Sequence, residues 1–126
     1  MSANNKPSEL DTFGPGGEPH SDTVVVYATF PSREAALICG QRMVEDKLAG
    51  CINVLPAMTS IYAWHGKTET AEEAVLIAKL AAEGAGAAVA FITANHPYDM
   101  PAVLVLPVVG GSAAYLAWLR SGTRFS

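Results

Sequence analysis

Residues 95–101 read NHPYDMP, which brings the imidazole of His96, the phenol of Tyr98 and the carboxylate of Asp99 close together between Pro97 and Pro101. Such a set could ligate a metal, form a base with its partners, or be a stiff turn that contains a histidine. The other soft or borderline metal ligands are Cys39, Cys51, His65 and four methionines. Thiolate and imidazole together suit copper or zinc. None of these residues has the spacing of a zinc ribbon or a redox CxxC. Any metal site must therefore be assembled by the fold or by neighbouring subunits. The third histidine, His20, lies in a polar N-terminal stretch and carries no expected role. Glu69, Glu72 and Glu73 cluster on what reads as a solvated strand face.

Other chemistries find no counterpart. There is no phosphate-binding Walker loop, no GxGxxG after a strand, no GxSxG elbow and no HExxH helix. No enzyme mechanism has more than two of its parts in view, so no enzyme and no organic cofactor are expected. A net charge of −4 and the lack of a basic stripe argue against a nucleic-acid partner. Runs such as Val103–Leu106 fall far short of the ~20 apolar residues that span a bilayer, so no membrane partner is expected. MSANNKPSEL lacks the charged start and apolar stretch of a secretory leader, and the expected compartment is the cytoplasm. Both cysteines then read as free thiols packed as small hydrophobes.

The elements that must position these groups follow from patterning. Residues 1–22 are poor in large apolar side chains and read as a disordered tail. TVVVYATF (23–30) is a β-branched strand. Ser32 caps a helix whose apolar stripe is expected to be Leu37, Gly40, Val44 and Leu48, with Gly40 permitting close approach to a sheet. Two long strands are expected at 51–64 and 70–81 around a turn at His65-Gly66-Lys67, with a bulge or bend at Pro56. A 14-residue strand reaches roughly 45 Å at ~3.3 Å per residue. Its far half must leave the core and expose Ile61, Tyr62, Trp64 and an unpaired edge, which favours oligomerisation. A helix at 83–94 presents Ala85, Val89 and Ile92, a buried strand follows at 102–109, and a short helix occupies 113–122. The fold class is α+β. Its order is that of a ferredoxin-like β-α-β-β-α-β sandwich with an extra C-terminal helix, in a single domain at 23–122 followed by a short tail at 123–126.

Taken together, CINVLPAMTSIYAWHGK, EEAVLIAK, NHPY, VLVLPV and the final YLAWL resemble the CutA family of divalent-cation tolerance proteins. The resemblance runs from about Val24 to Leu119, with five motifs in order. It implies a cytosolic homotrimer, similar in architecture to PII signalling proteins, whose long hairpin joins sheets between subunits. It also implies a response to divalent metal ions, copper among them, and no settled reaction. Residue by residue, Cys51 matches the family thiol at the start of the second strand. Trp64, Gly66 and Lys67 match the hairpin motif, with His65 in place of the usual glutamate. Glu69, Glu73 and Lys79 match the polar hairpin positions. His96, Pro97 and Tyr98 match HPY, and Tyr115 and Trp118 match the terminal helix. Ala28, Asn95 and Ala102 stand where some relatives carry a cysteine, a second histidine and a glutamate.

Three readings follow from the resemblance. One is weak binding of Cu(II) or another divalent ion through His96, with Cys51, His65 or Glu69 as partners. A second is a PII-like module that binds a small anionic ligand in an inter-subunit cleft lined by Lys67, Lys79, Tyr98, Trp118 and Trp64. A third is a trimeric scaffold for a protein partner.

Overall fold

The computed structural model describes residues 21–125, so the expectations for residues 1–20 lie outside it. Strand β1 (Thr23–Phe30) leads into helix α1 (Arg33–Glu45), then strands β2 (Cys51–Trp64) and β3 (Lys67–Ala81). A single 3-10 turn (Ala82–Gly84) opens helix α2 (Ala85–Ala94). Strand β4 (Val103–Pro107) and helix α3 (Ala113–Ser121) complete the domain. The four strands form one antiparallel sheet in the order β2-β3-β1-β4. Helices α1 and α2 cover one face, which gives the ferredoxin-like sandwich expected from the element order. Among the described residues no helix is long and apolar enough to cross a membrane.

Period-two alternation decides which side chains enter the core. Val24, Val26, Ala28 and Phe30 of β1 face the helices together with Ala74, Leu76, Ala78 and Leu80 of β3. The intervening residues, among them Val25, Tyr27, Ile77 and Lys79, point to the opposite face, which α1 and α2 leave uncovered.

Helix α1 begins where the Ser32 hydroxyl accepts the Ala35 amide at 3.1 Å. It ends in a Schellman motif: Lys47 adopts φ 58°, and the Leu48 and Lys47 amides bond back to the Met43 and Val44 carbonyls. Its buried face is Ala36, Cys39, Gly40 and Met43, not the expected Leu37/Val44 stripe. AALIC is apolar all round, so periodicity left the face open, and packing selects the small residues. A Cβ on Gly40 would meet the Ile52 Cγ2 methyl at 2.7 Å, which shows how closely helix and sheet approach. Leu37 and Val44 are left exposed on the rim.

The hairpin also differs in detail. Its turn is two residues, His65 (φ 50°) and Gly66 (φ 78°), both in the left-handed conformation of a tight hairpin, so β3 starts at Lys67 rather than 70. Strand β4, expected to be buried, lies at the sheet edge, with Leu104, Val105 and Leu106 exposed. Beyond α3, residues 123–125, read from sequence as part of a tail, fold back onto the domain. Thr123 is buried, the Arg124 amide bonds the Lys47 carbonyl, and the Phe125 ring lies against Gly84.

Candidate functional site

The bulge in β2 determines what the sheet face opposite α1 and α2 carries. Leu55 pairs with Val75, but the next regular pair is Met58 with Glu73: β2 advances three residues while β3 advances two. Pro56 and Ala57 (φ 61°) form the irregular step. Before the bulge the odd-numbered residues Cys51, Asn53 and Leu55 share a face with Lys79, Ile77 and Val75. After it the even-numbered Met58, Ser60, Tyr62 and Trp64 take that place, opposite Glu73, Ala71, Glu69 and Lys67. The same face receives Tyr27 and Thr29 of β1. The Tyr27 phenol reaches the Met58 sulfur at 3.7 Å.

These residues and the loop after α2 enclose an open groove of about 650 Å³. Glu73 is its polar centre. One carboxylate oxygen accepts the Ser60 hydroxyl at 2.6 Å and the other the Tyr98 phenol at 3.4 Å. Partial burial, then the Glu73 charge and hydrogen bond, hold the Tyr98 phenol above its ordinary value, so it remains a proton donor. Ser60 and Tyr62, absent from the expected site residues, stand on this face because the bulge moves the even-numbered residues onto it.

His96 is held as a structural pin. Its Nε2–H donates to the Thr29 carbonyl at 2.6 Å, while its Nδ1 accepts the Tyr98 amide at 3.1 Å. With both ring nitrogens engaged, this geometry leaves no lone pair free for a metal. Asn95 is likewise committed. Its side-chain nitrogen donates to the Phe91 carbonyl, and its oxygen accepts from Arg42, which lies over the Phe91 ring.

The remaining candidates separate. Cys51 lies opposite Lys79 at the base of the hairpin. His65 is at its tip, with its ring edge-on to Trp64, and thirteen residues of strand, roughly 40 Å, lie between. Glu69 faces Tyr62 in the distal half. Among the described residues no three His, Cys, Asp or Glu side chains gather as metal ligands. Of the residues expected to line a cleft, Trp64 and Tyr98 border the groove, while Lys67, Lys79 and Trp118 do not. Lys79 instead donates to the Tyr115 phenol at 3.3 Å and lies over that ring, which stacks on Trp118.

A family model described as CutA1 divalent ion tolerance protein matches residues 24–122. The chain belongs to the CutA1 family. It is 41% identical over 102 residues to Protein CutA, chloroplastic, of Arabidopsis thaliana, covering 81% of this chain and 56% of that one. It is 37% identical over 99 residues to the divalent-cation tolerance protein CutA of Thermus thermophilus, covering 79% and 96%. The crystal structure described as the periplasmic divalent cation tolerance protein CutA from Archaeoglobus fulgidus superposes with a TM-score of 0.76 at 32% identity, over 79% of this chain and 97% of that one. These findings correct one expectation. CutA1 relatives are named chloroplastic and periplasmic, so the cytoplasmic placement is withdrawn.

Proposed function

We propose that this protein serves in divalent-cation tolerance as a homotrimer that binds such ions weakly, through ligands contributed by more than one copy. The observation that carries this reading is the distribution of the ligands. Cys51 at the hairpin base and His65 with Glu69 toward its tip are too far apart to meet within one chain. A second copy can bring a base and a tip together. The apolar edge strand β4 and the exposed distal hairpin supply surface for that association, since burying Leu104, Leu106 and Ile61 removes a large apolar area from water. Thiolate and imidazole donors make Cu(II) and Zn(II) the ions to try first. His96 is assigned to shaping the loop rather than to ligation.

The test combines light scattering of the purified protein with calorimetric titration of Cu(II) and Zn(II). The expected result is a trimer that binds ions, with affinity lost in a Cys51→Ser/His65→Ala double variant and retained in His96→Ala. A monomer, or binding unchanged in the double variant, would overturn the reading. The anionic-ligand alternative receives less support, because neither Lys67 nor Lys79 borders the groove that holds Trp64 and Tyr98.

A further inference from the structure

Leu37 and Val44 carry the apolar stripe of α1 that the sheet does not cover. With Ile52 and Val54 of β2 they line a trough of about 310 Å³ between the helix and the proximal half of that strand. Arg33 stands at one end, and no carboxylate borders the trough among the described residues. It opens on the helix side of the sheet, and its residues belong neither to β4 nor to the distal half of the hairpin. We propose that the chain's own N-terminal segment fills this trough. Phe13 lies against Val44 and Ile52, Leu10 against Leu37 and Val54, and Glu9 beside the Arg33 guanidinium.

Reach favours that occupant. The described chain starts at one end of the sheet, where the Ser21 hydroxyl donates to the Val108 carbonyl and the Asp22 carbonyl accepts the Ala82 amide. Ile52 pairs with Ala78, which pairs with Val26. The trough and Ser21 are therefore five residues apart along the strands and two strands apart across them. That is roughly 16 Å by 10 Å, a direct distance of about 19 Å. Phe13 and Leu10 precede Ser21 by eight and eleven residues, which extended chain carries ~26 and ~36 Å.

Register and composition favour it too. Helix α1 runs back toward the start of β1, with Gly40 against Ile52, so a segment arriving from Ser21 meets Val44 before Leu37. Those two residues are seven apart, about 10 Å of helical rise. The three residues from Phe13 to Leu10 cover about the same length when extended. Leu10 and Phe13 are the large apolar side chains of this stretch beyond Met1, and Glu9 and Asp11 flank Leu10. An acidic segment with two apolar anchors thus matches a basic, carboxylate-free trough with two apolar rims, and covering those rims removes apolar surface from water. The inference stands apart from the metal reading.

The test uses the full chain in its native assembly, with labelled Leu, Val and Ile methyls and protonated Phe. The expected result is a set of nuclear Overhauser contacts from the Phe13 ring to the Val44 and Ile52 methyls, identified by their loss in Phe13→Leu. Leu37→Ser/Val44→Ser and, separately, Arg33→Gln should each weaken the contact to Ile52 several-fold. A mixed assembly of labelled and unlabelled copies should show that the contacts arise within one chain. No contact from Phe13, contacts only from another copy, or contacts of full strength in both trough variants would overturn the proposal. So would contacts to these methyls from a different segment of a second copy. The unaltered chain alone decides whether Phe13 occupies the trough, so the result stands even if a trough variant fails to fold.

Discussion

The imidazole of His96 lies on the ring of Phe30, with centroids 4.4 Å apart and planes inclined by 28°. Phe30 is fully buried at the end of β1, so this stack ties the loop after α2 directly to the core. Together with the bonds to Thr29 and Tyr98, it accounts for a histidine that has no ligand to serve. Replacement by alanine removes one ring contact, worth ~0.5–1.5 kcal/mol, and two hydrogen bonds of ~1 kcal/mol each. His96→Ala is therefore expected to lower the unfolding free energy by about 2–4 kcal/mol, read from urea transitions. Ion binding by the folded variant should be unchanged.

Gly40 lets α1 lie close to β2. Alanine there gains about 1 kcal/mol of helix propensity. Its methyl would sit 2.7 Å from the Ile52 Cγ2 atom of a stiff, β-branched side chain. Overpacking of this kind costs about 1–3 kcal/mol. Gly40→Ala should thus be neutral to destabilising in thermal melts, and Ile52→Val in the same chain should recover part of the loss.

Cys39 lies on the buried face of α1, and that burial raises its thiol pKa, with the Arg42 charge opposing in part. The folded state therefore holds the Cys39 proton after the unfolded state has begun to release it. Its contribution to stability is complete below the ordinary thiol pKa of 9.0 and declines as pH rises above it. Cys51, half-buried on the face opposite α1 and α2, should react with a thiol reagent in a first phase. Cys39 should react only as the chain opens, and Cys39→Ala should flatten the alkaline fall in stability.

Arg120 grips the end of the sheet. Its guanidinium donates to both oxygens of Glu83, at 3.1 and 3.2 Å, and to the Asp22 carbonyl at 2.6 Å. The Arg120 hydrogen bonds lower the Glu83 carboxyl pKa below its ordinary 4.5. The stability linked to this group is present above the ordinary value and is lost as pH falls through the lowered one. An NMR titration should find Glu83 below the usual carboxylate range, and Arg120→Gln should return it there.

The sequence made the topology readable because each element carries its own signal: β-branched runs, the Ser32 cap, the hairpin, and Pro56 marking the bulge. It misjudged two faces for one physical reason. Apolarity reports that a side chain prefers cover, without saying what provides it. Leu37 and Val44 lose the sheet to smaller neighbours, and β4 lies at an edge with Leu104 58% exposed in the single chain. The groove was harder to foresee. Tyr62 and Trp64 stand on its side of the sheet only because of an extra residue, and its loop wall depends on the ring contacts and hydrogen bonds of His96.

That extra residue has an evolutionary consequence. Loss of one codon at Ala57 would remove the bulge yet leave Met58, Ser60, Tyr62 and Trp64 on the groove face, because Leu55 and Met58 would then stand two residues apart. The same loss beyond the bulge, at Thr59, would instead turn Ile61 and Ala63 to the groove in place of Tyr62 and Trp64, although none of these side chains had changed. The bulge therefore tolerates the loss of a residue, whereas a deletion in the regular strand beyond it exchanges an aromatic surface for an aliphatic one in a single event. In this chain the number of residues beyond the bulge, as much as their identity, decides which side chains the groove receives.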